Sequence, residues 1–72
     1  MMTVAWTEQA REALGSPAQV ARHLQVPEKT LAEWRSRQIG PRYHRVGRYV
    51  RYAWTDVDVW LATQAHGGGD AA

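Results

Sequence analysis

The sequence predicts a mainly α-helical domain that carries one small β-hairpin, an α+β fold. Two short segments, residues 16–24 and 28–37, place apolar side chains at helical spacing and are separated by a break that contains proline. Residues 43–52 alternate between polar and apolar side chains around Gly47, which is typical of a hairpin. A third helical pattern follows Thr55. The order helix, helix, hairpin, helix therefore follows from periodicity.

Composition restricts the class of protein. A chain of 72 residues forms one small domain with a small core, and four Trp supply unusual apolar area for that core. The absence of Cys excludes a disulfide framework and a thiolate metal site. No signal-peptide pattern and no apolar run of bilayer length are visible. We therefore expect a soluble, cytoplasmic protein without a membrane partner.

The charge is unevenly distributed along the chain. Residues 22–51 contain eight Lys or Arg and two Glu. Residues 1–21 contain one Arg and two Glu, and residues 52–72 contain three Asp and no Lys or Arg. The overall net charge of +2 therefore conceals a strongly basic middle segment. This polarity predicts a polyanionic partner.

Residues 1–15 are predicted to form an N-terminal extension with a short helix. A helix over residues 8–14 would place Trp6, Ala10 and Leu14 on one face, since they lie four residues apart. Two interpretations stay open at this point: a lid over the core, or a contact with a neighbouring protomer.

The next helix begins at a predicted capping box. Ser16 is the N-cap, Pro17 takes the first helical position, and Gln19 completes the box. Pro27 disfavours helical geometry at Val26 and so breaks the helix. The stripe predicted to face the core consists of Val20, Ala21 and Leu24.

A second helix is predicted over residues 28–37, with Pro27 suited to its start. Leu31 and Trp34 would face the core. The side chains predicted to face outward are Lys29, Thr30, Glu33, Ser36 and Arg37. Two helices joined by three or four residues, the second basic and outward-facing, form the helix-turn-helix pattern.

The register of the hairpin can be argued from its side chains. A two-residue loop would mix polar and apolar side chains on each face, whereas a three-residue loop over residues 47–49 pairs Val46 with Val50 and Arg45 with Arg51. We therefore predict the longer loop. It sorts Val46, Val50 and Tyr52 to the core face and Tyr43, Arg45 and Arg51 to the outside. Directly opposed arginines repel each other, and a phosphate between them would relieve that repulsion.

The last helix is predicted to start at Thr55 as N-cap, with Asp58 completing a second capping box and Trp54 packing onto Val59. Its buried face would consist of Val57, Trp60 and Leu61.

Three parts of the chain follow from these patterns. Residues 1–15 are the N-terminal extension, residues 16–64 a winged helix-turn-helix domain in which the hairpin is the wing, and residues 65–72 a flexible tail. The last helix is expected to fray near Gln64, because three consecutive glycines follow shortly after it.

Three stretches resemble the winged-helix DNA-binding domains of phage excisionases. They are S-P-A-Q-V-A-R-H-L-Q-V-P-E-K-T-L-A-E-W-R, G-P-R-Y-H-R-V-G-R-Y-V-R-Y and T-D-V-D-V-W-L. AlpA-type regulators share the pattern, and MerR-type regulators share it more distantly. The resemblance covers residues 16–62. It departs from the family at Gln25, where Gly is usual, and at Pro27, where Ser is frequent.

The resemblance implies a double-stranded DNA partner, with residues 27–37 as a recognition helix in the major groove. It places six residues of this segment near base edges or the DNA backbone: Glu28, Lys29, Thr30, Glu33, Arg35 and Arg37. Arg35 and Arg37 would lie toward the backbone. For Glu28 and Glu33 two interpretations stay open, acceptance from a cytosine amine or a role in helix stability.

The resemblance also implies that the wing reaches a flanking minor groove or phosphates. Its candidate DNA contacts are Arg42, Tyr43, Arg45, Arg48, Tyr49 and Arg51. The positions that match the family's core are Leu24, Val26, Leu31, Val46, Val50, Tyr52, Val57, Trp60 and Leu61.

The predicted function is that of a non-catalytic, sequence-specific DNA-binding protein, an excisionase or recombination directionality factor. It would bind repeated sites cooperatively beside neighbouring protomers and bend DNA, so that a phage integrase excises the prophage in a bacterial host. Two alternatives stay open, a small transcriptional regulator of the AlpA or MerR kind and a protein-interaction adaptor.

Enzymatic and ligand-binding functions are not expected. The three His have no metal-ligand spacing, and no nucleophile–base pair or nucleotide loop is visible. We therefore predict no metal, no cofactor and no small-molecule substrate.

Overall fold

A computed structural model describes residues 13–67. In chain order the elements are β1 (Leu14–Gly15), α1 (Pro17–Leu24), α2 (Glu28–Ser36), β2 (His44–Val46), β3 (Tyr49–Ala53) and α3 (Trp54–Ala62). The strands form an antiparallel sheet in the order β1-β3-β2. Three helices around a small sheet confirm the predicted mainly α, winged helix-turn-helix architecture.

Helix α1 begins as predicted, because its N-terminal capping box is local in sequence. The Gln19 backbone N–H donates to Ser16 Oγ at 3.1 Å, and the Ser16 N–H donates to Gln19 Oε1 at 2.9 Å. Each partner satisfies a donor that the helix itself leaves free. Val20 and Ala21 are buried and Leu24 is partly buried, so the predicted stripe faces the core.

Both helices of the helix-turn-helix end in a Schellman motif with a glutamine in the left-handed region. After α1, Gln25 has φ +61°, its N–H donates to the Arg22 carbonyl, and the Val26 N–H donates to the Ala21 carbonyl. After α2, Gln38 has φ +56° and occupies the equivalent place. These backbone angles suit glycine, which has no Cβ.

Replacing Gln25 by Gly is therefore expected to raise the free energy of unfolding by about 1 kcal/mol, because a side chain at this φ clashes with its own backbone. Urea denaturation followed by Trp fluorescence measures the change. Gln25→Ala is the control, since it removes the same side chain but keeps the Cβ. A Gly variant no more stable than the Ala variant would contradict the prediction.

Helix α2 starts at Glu28, and Pro27 occupies the N-cap position without a side-chain hydrogen bond. The Thr30 N–H instead donates to the Pro27 carbonyl at 2.9 Å. Leu31 is fully buried and Trp34 is half-buried, as predicted from their spacing. The helix ends at Ser36, one residue before the predicted end.

The predicted hairpin register is wrong. The loop has two residues, Gly47 and Arg48, so that Val46 pairs with Tyr49, Arg45 with Val50, and His44 with Arg51. Gly47 has φ +67°, and a glycine at the first position of a two-residue turn closes a hairpin tightly. Turn geometry therefore decides the register over the sorting of side chains.

This register changes which side chains share a face. Val50 and Tyr52 face the core as predicted, but Val46 does not, since it is 49% exposed and pairs with the 56% exposed Tyr49. Arg45 and Arg51 are not directly opposed and project from opposite faces. The inferred repulsion between them, and the phosphate that would relieve it, have no basis in the structure.

Strand β1 was not predicted. Leu14 pairs with Ala53 and Gly15 with Tyr52, and the Trp54 N–H donates to the Ala13 carbonyl at 3.2 Å. Leu14 is therefore a strand residue and not the end of a helix. The rest of the predicted N-terminal helix, residues 8–12, and the predicted role of Trp6 lie outside the described residues.

Helix α3 starts two residues earlier than predicted. Strand β3 runs directly into it, so that Ala53 is the N-cap without a side-chain hydrogen bond and Thr55 lies within the first turn. The predicted capping box with Asp58 is therefore wrong. The predicted packing of Trp54 onto Val59 is also wrong, because Val59 is 67% exposed while the Trp54 ring packs edge-on against His23.

The core lies between α1, α2, the sheet and α3. Its buried members are Val20, Ala21, Leu31, Tyr52 and Val57. The apolar residues packed against them are Leu24, Val26, Trp34, Tyr43, Val50 and Trp54. Of the predicted buried face of α3, Val57 is fully buried and Trp60 half-buried, but Leu61 is 44% exposed.

Candidate nucleic-acid interface

Helix α2 presents one polar face to solvent. Leu31 is buried on the opposite face, and five residues of the helix are exposed: Glu28, Lys29, Ala32, Glu33 and Ser36. Arg37 is exposed directly after the helix. Among the predicted recognition residues, Thr30 is half-buried. The outer face therefore carries charged side chains together with two small ones, Ala32 and Ser36.

The position of α2 is fixed by contacts at its C-terminal end. The ring centroids of Trp34 and Trp60 lie 5.3 Å apart, which joins α2 to α3. Gly40 has φ +87° and lies so close to Trp34 that a Cβ there would be 2.9 Å from Trp34 Cε3. The turn from α2 into the hairpin therefore packs directly against the helix.

Arg35 differs from the other predicted recognition residues in the contacts that its side chain makes. Its side chain is half-buried, and its Nη1 donates to the hydroxyl of the buried Tyr52 at 2.9 Å. Its guanidinium carbon also lies 5.8 Å from the ring centroid of Tyr43. Arg35 thus joins α2 to β3 and to the segment before β2.

The predicted wing residues fall into two groups. Arg42, Arg45, Arg48 and Tyr49 are exposed, and Arg48 lies in the turn. Tyr43 and Arg51 are half-buried. Tyr43 was predicted to face outward, but its ring lies 6.2 Å from that of Tyr52 and packs against the core.

Arg51 is held along the outer face of the hairpin. Its Nη1 donates to the Val50 carbonyl at 2.7 Å, and its guanidinium lies 5.2 Å from the Tyr49 ring centroid. On the same face, His44 Nε2 lies 3.4 Å from Asp56 Oδ2, which connects β2 to α3. Contacts within the hairpin and to α3 therefore hold the side chains of Arg51 and His44 on the outer face of the wing.

Sequence reasoning missed the hydroxyl of Tyr52 as the partner of Arg35. The two residues are 17 positions apart, and no local pattern relates them. The half-buried state of Arg35 could have been suspected from helical spacing, because Arg35 follows the buried Leu31 by four residues.

The described part of the chain holds no group of three or more His, Asp or Glu that could bind a metal ion. Across residues 13–67, no helix is long and apolar enough to cross a membrane.

The second helix of the pair exposes a polar face, and a basic hairpin follows it. Together these features define a helix-turn-helix DNA-binding domain. A family model described as "Helix-turn-helix domain" matches residues 16–65. The chain belongs to this family, whose members bind double-stranded DNA and are typically not enzymes. No curated protein matches the chain.

Proposed function

We propose that this protein binds specific DNA sites with α2 in the major groove and the β2–β3 hairpin on the adjacent minor groove or backbone. The observation that carries the proposal is the exposure, on α2 and on the neighbouring hairpin, of cations from the basic segment. Lys29 is on the outer face of α2, and Arg45 and Arg48 are on the hairpin. Such a distribution matches the charge of the phosphate backbone.

Base contacts would come from the outer face of α2. Lys29 can donate to guanine, and Glu33 can accept from a cytosine amine. The small side chains of Ala32 and Ser36 let the helix backbone approach the bases. Arg37, at the end of the helix, would contact the DNA backbone.

We further propose that the protein is an excisionase that acts architecturally. A single module of this size buries roughly 600–1,000 Å² on DNA, which limits specific affinity at physiological salt. Several copies would therefore bind side by side on repeated sites and bend the duplex. The bent DNA would favour excision of a prophage by its integrase in the bacterial host.

A gel-shift titration tests DNA binding, using the DNA beside a candidate attachment site and a scrambled duplex. Successive specific shifts are expected, and the logarithm of affinity should fall with the logarithm of salt concentration with a slope of about −4 to −6 if five or six phosphates are contacted. Lys29→Ala and Arg48→Ala should each weaken binding about tenfold, because each removes a charge-assisted contact. Arg22→Ala is the matched control, since Arg22 is exposed on α1 beside Trp54, at the end of β3 away from the turn.

Three outcomes separate the possible functions. Binding that is specific but leaves the duplex unbent in a circular-permutation assay would favour a transcriptional regulator over an excisionase. Protein–protein association that survives high salt, without DNA binding, would favour an adaptor. If neither duplex shifts at low salt, the proposal of DNA binding is wrong.

A further inference from the structure

The guanidinium of Arg35 lies in the junction between α2 and the hairpin. It contacts Tyr52 of β3 through the 2.9 Å hydrogen bond and Tyr43, just before β2, through its ring face. Both contacts are uncharged, so they orient the guanidinium without neutralising it. Arginine has five N–H donors in a rigid fork, and the Tyr52 hydroxyl uses one of them.

The chemistry and place of this side chain point to an anion. A half-buried cation that is oriented but not neutralised gains most from a partner that is negative and accepts two parallel hydrogen bonds. In B-form DNA, a sugar–phosphate strand lies between the major groove and the adjacent minor groove. If α2 occupies one groove and the hairpin the next, this strand passes between them, across the junction that Arg35 occupies.

We propose that Arg35 is a phosphate-binding residue that Tyr52 and Tyr43 hold in position before DNA arrives. This inference rests on the proposed function and deepens it, because it assigns one backbone phosphate to the junction of helix and wing. Tyr52 is then a positioning residue. It is 1% exposed and acts on DNA through the orientation of Arg35.

The salt dependence of binding separates a phosphate contact from a purely structural role. We would measure fluorescence anisotropy of a labelled 20-base-pair random duplex at several salt concentrations for Arg35→Met and Arg35→Lys. Arg35→Met is expected to lower affinity about tenfold at low salt and to reduce the magnitude of the salt slope by about 1. Arg35→Lys keeps the positive charge but loses the planar set of N–H donors. The salt slope should therefore stay near the wild-type value, and the affinity should fall by less than in Arg35→Met.

Two further variants complete the test. Tyr52→Phe removes only the hydroxyl, and we expect it to weaken binding several-fold with a wild-type salt slope, because the charge remains but is no longer held. Arg22→Met removes the same charge from α1, at the end of β3 away from the turn, and should leave the affinity close to wild type.

The outcomes are distinguishable. If folded Arg35→Met binds the duplex with the affinity and slope of the wild type, Arg35 only supports the fold and the inference is wrong. If that variant does not fold, the Arg35 Nε–Hε NMR signal of the wild-type protein decides: a shift on adding duplex that salt reverses supports the contact, and an unchanged signal overturns it. If the wild type does not bind the duplex at all, both the proposed DNA-binding function and this inference are wrong.

Discussion

Leu31→Ala is expected to lower the free energy of unfolding by about 3 kcal/mol, because it leaves a cavity in the centre of the core. Leu31 is 0% exposed and lies in the central cluster with Val20, Tyr52 and Val57. Truncation removes the transfer free energy of three buried carbons and leaves a cavity that rigid neighbours fill only in part. A domain this small is only marginally stable. The variant should therefore be largely unfolded at 37 °C.

Leu61→Ala is the matched control for this change. It is the same substitution, but Leu61 is 44% exposed on α3. We expect a loss of less than about 1 kcal/mol, since little of the side chain is removed from a packed interior. Urea denaturation followed by Trp fluorescence measures both variants. Equal losses at the two positions would show that Leu31 is not at the centre of the core.

The helices of the helix-turn-helix could be predicted closely because their signals are local. Ser16 and Gln19 are three residues apart, and their reciprocal hydrogen bonds need no other part of the chain. Leu31 and Trp34 face the core because the helical period places them on the same side. For these elements the local interactions and the global fold favour the same conformation.

Strand β1, the hairpin register and the start of α3 could not be predicted in the same way. Strand β1 has two residues, and its hydrogen bonds depend on Tyr52 and Ala53 of β3, distant in sequence. The hairpin register follows from the positive φ of Gly47, which outweighs the exposure of Val46 and Tyr49. Helix α3 follows β3 without a connecting loop, so the N-cap signal of Thr55 is not used.

The candidate interface was predictable in its exposed part only. Lys29, Glu33 and Arg48 are exposed as their positions in the helix and turn suggested. Arg35 was expected simply to face the DNA backbone, but its side chain is anchored by Tyr52, which lies 17 residues later in the chain. Charge patterns indicate that cations are present, whereas only tertiary packing shows which of them are held in one orientation.

Gly40→Ala is expected to lower the free energy of unfolding by about 3 kcal/mol, through two independent effects. At φ +87° an Ala is strained, which costs roughly 1–2 kcal/mol. Its Cβ would also lie 2.9 Å from Trp34 Cε3 and 3.1 Å from Trp34 Cβ, and overpacking of this kind costs roughly 1–3 kcal/mol. The Cβ of Trp34 cannot move away without moving α2, so the orientation of α2 relative to the hairpin should change and DNA affinity should fall as well.

Gly47→Ala separates the two effects, because Gly47 also has a positive φ, of +67°, but no atom lies within 4 Å of the added Cβ. The free energy of unfolding of this variant should fall only by the conformational cost of Ala at positive φ, roughly 1–2 kcal/mol. The difference between the two variants in urea denaturation then measures the contact with Trp34. If both lose the same free energy, Trp34 adapts to the new methyl group at no cost. The contact between this turn and Trp34 would then not be what fixes α2 against the wing.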